Sequence, residues 1–247
     1  YVLAGCILIA SAQAAAADQQ FTSEIQLQNR AQVETGYQAR VDPESAPALL
    51  QAMQQHRFQS NNQVRVQNMI QEAQQGGLPT EPLMNKVHEG IAKNISEEKI
   101  VQAVRQVLER YEHAYQQAGK LVSDKRQAGR LGEIMAEAYT AGLREQDCEQ
   151  IITQLQTRSR TMDRQQDHEL ALQTMEAART MARRGVTSAT VSDVLGNALQ
   201  HSYQAGEMRS LQESFKQQTR YGAPENVAHS FSSDISRGIG ASSLGGR

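Results

Sequence analysis

The sequence predicts an all-α fold, either an irregular helical bundle or a degenerate stack of helical hairpins, with flexible termini. Three observations predict it. The first is composition: 39% of the 247 residues are hydrophobic, yet aromatics make up only 4% and Trp is absent. A core must then be built from Leu, Ile, Val, Met and Ala, and this palette with abundant Gln, Glu and Arg favours helix over sheet. The second is apolar spacing at three and four residues through most of residues 43–237. The third is a recurring punctuation, in which a Gly or Asn is followed at once by an apolar residue and a new helix begins shortly after. It occurs at Gly77-Leu78, Asn94-Ile95, Gly142-Leu143, Gly185-Val186 and Gly222-Ala223, and more loosely at Gly206. A residue just past a helix often takes a left-handed conformation, which Gly tolerates best and Asn next. The apolar residue behind it folds back on the last turn.

Each element follows in order. Pro43 and Pro47 open a helix with Leu49, Leu50 and Met53 on one face. Ser60 or Asn61 can cap the next, whose stripe is Val66, Met69, Ile70 and Ala73, and Gly76-Gly77 stop it. Thr80 and Pro82 start a short helix with Leu83, Val87 and Ile91 in line. Ser96, Glu97 and Glu98 start a long one that carries Ile100, Val104, Val107, Leu108, Tyr111 and Tyr115. Further stripes are Leu131/Ile134/Met135/Ala138, Cys148/Ile151/Ile152/Leu155, Ala171/Leu172/Met175/Ala178/Ala182 and Val191/Val194/Leu195/Ala198/Leu199. Leu211 and Phe215 mark a shorter helix, and Pro224 opens one with Val227, Phe231 and Ile235. The uneven punctuation fits no regular repeat array. Apart from a brief alternation at Ile25 and Leu27, nothing reads as a strand.

Four spans follow: 1–17 as a secretory signal peptide with a clipped start, 18–42 as a polar, Gln-rich lead-in, 43–237 as the helical domain and 238–247 as a flexible tail. The leader reading rests on the apolar run Val2 to Ala10, then small residues with cleavage sites at Ala12-Gln13-Ala14 and Ala15-Ala16-Ala17. The run is short for a membrane span. Leu3-Ala4-Gly5-Cys6 also resembles a bacterial lipobox, which offers Cys6 as a lipidation site, although Ile7, Leu8 and Ile9 stay apolar where lipoproteins turn polar.

The stretch Gly77 to Ile100 is similar to a segment of uncharacterised secreted bacterial proteins. It shares Gly77-Leu78-Pro79, Glu81-Pro82-Leu83, Asn85-Lys86, Glu89-Gly90 and Ala92-Lys93. The resemblance covers about a tenth of the chain. It implies export and a helical fold, and it carries no site residues.

Signatures of chemistry are scarce. His56, His88, His113, His168, His201 and His229 are scattered, with neither H-E-x-x-H nor finger spacing. Asp163, Asp167, His168 and Glu169 form the densest group of candidate ligands and read as the charged start of a helix. Glu225 and His229 read as a surface pair one turn apart. Cys148 lies on an apolar stripe and reads as a buried, inert thiol. There is no G-x-S-x-G elbow, P-loop or G-x-G-x-x-G after a strand. Glu89, Glu97, Glu98, Glu133 and Glu137 read as solvated helix faces. The basic runs Arg158 to Arg164 and Ala178 to Gly185 suit helix termini better than a lipid or acidic partner.

A net charge of −2 gives no footprint for nucleic acid. The expectation is an exported, non-catalytic helical protein, periplasmic or secreted, that binds an envelope protein and holds no cofactor or metal. Two alternatives stay open: an envelope enzyme or small-ligand carrier with a site assembled from distant residues, and an outer-membrane lipoprotein anchored through Cys6. Membrane contact would come from that lipid or from an uncleaved leader, and the oligomeric state is open.

Overall fold

The computed structural model describes residues 45–159 and 163–244. The leader, Cys6, the lead-in and Pro43 lie outside the described residues. Ten α-helices follow one another, with no strand among the described residues. They are α1 Ser45–Gln55, α2 Ser60–Gln75, α3 Glu81–Ala92, α4 Glu97–Leu121, α5 Lys125–Thr140, α6 Glu145–Ser159, α7 Arg164–Arg183, α8 Ser188–Gln200, α9 Ala205–Gln218 and α10 Pro224–Ser236. A short 3₁₀ turn spans Ala241–Ser243. Every apolar stripe read from α2 to α10 is buried, save the half-buried Tyr115.

Seven helices end in the same hydrogen-bonded cap. At Arg57, Gly77, Asn94, Gly142, Gly185, Ser202 and Gly238 the backbone turns to positive φ. The following N–H donates to the carbonyl five residues back, as from Leu78 to Ala73 at 2.8 Å, Leu143 to Ala138 at 3.0 Å and Tyr203 to Ala198 at 3.0 Å. These are Schellman caps, which satisfy carbonyls the helix leaves open. The residue behind the cap is buried at Phe58, Leu78, Leu143, Val186 and Tyr203, and exposed at Ile95.

Four of the punctuation points are therefore caps, and two are not. Gly206 lies inside the first turn of α9, and Gly222 is absent from the positive-φ glycines, its N–H donating to Gln218 instead. The caps at Arg57 and Ser202 escape the sequence pattern because neither is Gly or Asn. Two N-caps also differ. Thr80 holds its position without a side-chain bond, and Gln59, not Ser60 or Asn61, precedes α2.

Two compact units divide the chain, Tyr1–Leu108 and Glu109–Arg247. Their boundary falls within α4, where no Pro, Gly or polar linker marks it. In the first unit α1 packs on α3, and Arg105 of α4 reaches Glu72 of α2 at 3.0 Å. Gly90 of α3 admits Ile100 of α4 so closely that a Cβ would lie 2.5 Å from Ile100 Cγ1.

In the second unit helices stack on the helix two places on. α5, α7 and α9 make one layer, and α6, α8 and α10 make the other. Each successive pair is a hairpin with one helix in each layer, so the second unit is a stack of helical hairpins. The described part of the expected tail is held against α9: Ala241 and Leu244 are buried, and the Tyr203 hydroxyl donates to Ile239 O at 2.6 Å.

The cap geometry sets a pair of opposite expectations. Ser202→Gly removes the penalty of a left-handed Ser at φ 63° and should raise stability by about 0.5–1 kcal/mol. Gly142→Ala places a Cβ at φ 107° and should lower it by about 1 kcal/mol or more. Thermal or urea unfolding monitored by circular dichroism reads both.

Candidate partner-binding groove

The stacking of α7 on α9 leaves an open polar groove of about 470 Å³ along the odd-numbered layer. On α7 its walls come from Gln173, Glu176, Thr180 and Arg183, spaced at three and four residues, so the face opposite the buried stripe of Leu172, Met175 and Ala178 lines it. On α9, Arg209, Gln212, Glu213 and Lys216 do the same. Gln212 ties the floor together, donating to Glu176 O at 3.1 Å and Thr180 Oγ1 at 2.7 Å.

The charges pair within the layer. Arg179 bridges Glu176 and Glu137, the latter at 2.6 Å, and Arg183 shares Glu137 at 2.8 Å. Arg209 meets Glu169 at 3.0 Å, and Lys216 meets Glu213 at 2.9 Å. Four cations of the groove thus meet four carboxylates, two of them, Glu176 and Glu213, in its lining and two, Glu137 and Glu169, beside it. Yet the Arg183 and Arg209 side chains are 55% and 61% exposed, so both remain open to exchange a carboxylate partner at the surface.

The other candidate residues fall to structural work. Asp163 caps α7 by accepting from Gln165 N and Gln166 N at 3.0 and 2.9 Å. Among the described residues no three or more of the His, Cys, Asp and Glu side chains, Asp163, Asp167, His168 and Glu169 included, are gathered as a group that could hold an ion. Glu89 pairs with Lys86 and Lys93, and their hydrogen bonds pull its carboxyl down to about 2. Glu97 accepts from Gln59 N at 2.7 Å across α2 and α4. Glu225 accepts from Thr187 N and from the Thr187 and Thr190 hydroxyls, which hold its carboxyl below the usual range with the Thr190 bond foremost. Its contact with His229, at 3.4 Å, is secondary.

Of the basic runs, Arg158 donates to Tyr203 O at 2.6 Å and Leu199 O at 3.3 Å, closing the end of α8. Arg184 reaches Lys216 O and the Thr219 hydroxyl. Arg160 to Met162 lie outside the described residues. Cys148 is fully buried on α6, and burial pushes its thiol up to about 11 against a smaller opposing bond from Tyr139. The Tyr139 ring in turn lies 5.6 Å from that of His113.

No protein-family model, curated protein or solved structure matches this chain. Among the described residues no helix is long and apolar enough to cross a membrane.

Sequence reading did not single out Arg209, Gln212 or Lys216. Their polar spacing is that of any solvent-facing helix stripe, and only the packing of α9 on α7 makes them one surface.

Two outcomes check these assignments. Cys148 in the native protein should resist a thiol reagent at neutral pH and react on unfolding, as peptide mapping of the labelled chain would show. Because the Glu225 carboxyl is depressed, the stability it contributes is present above its ordinary value of 4.5 and is lost as pH falls through its folded value. Glu225→Gln should therefore flatten that acid limb of the stability profile, read by denaturant unfolding between pH 3 and pH 6, roughly the range a carboxylate titrates.

Proposed function

We propose that the protein is an exported, non-catalytic helical scaffold that binds an extended polar segment of an envelope protein in the groove between α7 and α9. The observation that carries the reading is the stacked-hairpin architecture of the second unit, which lines one continuous groove with side chains from two successive hairpins. Stacks of this kind present elongated surfaces suited to extended partners. Fold alone does not assign a function, and the groove supplies the site. Its exposed Arg183 and Arg209 offer forked donors to carboxylates and backbone carbonyls. Balanced charge favours recognition by hydrogen bonds at short range over long-range steering. Export is supported by the leader-like sequence before residue 18 and by the resemblance of the Gly77 to Ile100 segment.

A photo-reactive residue at Glu213 should capture one dominant envelope protein in cells, and one at exposed Gln102 on α4 should not. Arg209→Glu with Lys216→Glu should cut that capture about ten-fold, equivalent to ~1.4 kcal/mol, with unfolding unchanged. Equal capture at both positions, or capture indifferent to the charge reversal, would sink the reading.

A further inference from the structure

The ion pairs of the α7–α9 groove balance at a distance, yet the surface that a ligand would touch is cationic. The lining holds Arg179, Arg183, Arg209 and Lys216 against Glu176 and Glu213. The other two carboxylates stand beside it. Glu137 belongs to α5, and one of its oxygens serves both Arg179 and Arg183, at 2.6 and 2.8 Å. Glu169 lies one turn before the groove on α7, in a separate hollow of about 810 Å³ around the starts of α7 and α9, and meets Arg209 at 3.0 Å.

The excess grows where α7 and α9 end. Arg184 donates to neutral acceptors, Lys216 O at 3.2 Å and the Thr219 hydroxyl. Arg220 follows α9 in an exposed turn, and among the described residues its side chain has neither ion pair nor hydrogen bond. Glu225, further along the chain, is engaged by Thr187 and Thr190 instead. Tyr221 keeps 92% of its surface exposed, more than any other large apolar side chain among the described residues. Tyr and Arg are among the residues that most often anchor a protein interface.

We propose, resting on the docking role given to this groove, that the partner segment is acidic. Its carboxylates take Arg209, Arg183 and Lys216 along the groove and Arg220 at its end, where Tyr221 packs on the segment. An extended chain turns alternate side chains to one face, so one face carries the carboxylates. From Gln173 to Arg183, α7 rises about 15 Å, the length of about five extended residues. An exposed ion pair contributes little to stability, so an incoming carboxylate replaces Glu169 on Arg209, or Glu137 on Arg183, at small cost. A polypeptide also fits better than a phosphate backbone. Glu176 and Glu213 stay in the walls and repel an uninterrupted row of negative charge, whereas a polypeptide sets neutral residues opposite them. The whole chain carries a net charge of −2, so its overall field favours a basic ligand, and a preference for an acidic one must come from the groove.

The test titrates the full chain into fluorescein-labelled heptapeptides with Glu, Gln or Lys at alternate positions and Ser between, read by anisotropy. The Glu peptide should bind saturably and at least about ten-fold more tightly than the Gln and Lys peptides. Glu169→Gln, which releases Arg209, should tighten it about two-fold. Arg220→Glu with Tyr221→Ala should weaken it about five-fold, with the helical circular dichroism signal unchanged. Equal or tighter binding of the Lys peptide, binding of none of the three, or tighter binding of an oligothymidylate would overturn the proposal, as would indifference to both variants. Photo-capture at Glu213 separates this result from the docking role itself. An envelope protein captured through a basic or uncharged segment, mapped by peptide mass spectrometry, removes the acidic assignment and leaves the groove. A Glu peptide that binds where nothing is captured keeps the acidic assignment and removes the envelope partner.

Discussion

The helix C-cap sets the course of this chain. Each of the seven caps spends one left-handed residue to turn the backbone, and its own N–H and the next one close on carbonyls the helix would leave open. The apolar residue that follows seals the turn, as Leu143 and Tyr203 do at 3% exposure. A hairpin then needs only a few residues between helices. Where Gly takes the positive φ the cost is small. At Arg57, Asn94 and Ser202 an L side chain takes it, at a penalty of roughly 1 kcal/mol, so the packing around those ends outweighs local preference.

A second device holds neighbouring hairpins in register. A side chain in the first turn of one helix accepts from the backbone N–H that opens the helix two places before. Glu97 does so for Gln59, Ser188 for Arg144 and Glu225 for Thr187, at 2.7, 2.8 and 2.7 Å. At Ser188 the link is buried: its hydroxyl also donates to Asp147, which binds Arg144 Nε at 2.8 Å. The N–H that precedes a helix is thereby satisfied by a neighbouring helix, where α9 uses its own Glu207 for Gln204 N. Gln59 precedes α2 with no capping bond from its own side chain, whereas Thr187 caps α8 through its hydroxyl, and in both the backbone N–H goes to a Glu from outside.

Close approach between helices needs the same economy. Gly132 of α5 lies so near Tyr115 of α4 that a Cβ would sit 2.6 Å from the ring. A Cβ on Gly196 of α8 would likewise lie 3.1 Å from Gln154 Nε2 of α6. These glycines fall in helix interiors, where propensity alone counts against them by about 1 kcal/mol. Their place is explained by the neighbour, and the polar surface that remains, including the α7–α9 groove, is what packing leaves uncovered.

How much was legible follows from this. The sequence by itself determined the all-α class, the stripes from α2 to α10 that form the cores, and the four caps at Gly77, Asn94, Gly142 and Gly185, because apolar period and left-handed tolerance are local properties. It also marked Cys148 as buried. Tertiary structure alone decided the caps at Arg57 and Ser202, the division inside α4, the partners of Glu97 and Glu225 and the groove. The last two depend on which helix lies beside which, and the side chains that join different helices there are 32 to 46 positions apart, as Gln212 is from Thr180 and Arg183 from Glu137. A polar stripe has the same spacing whether it faces water, a carboxylate of the next hairpin or a partner, so its role was set only when α9 packed on α7.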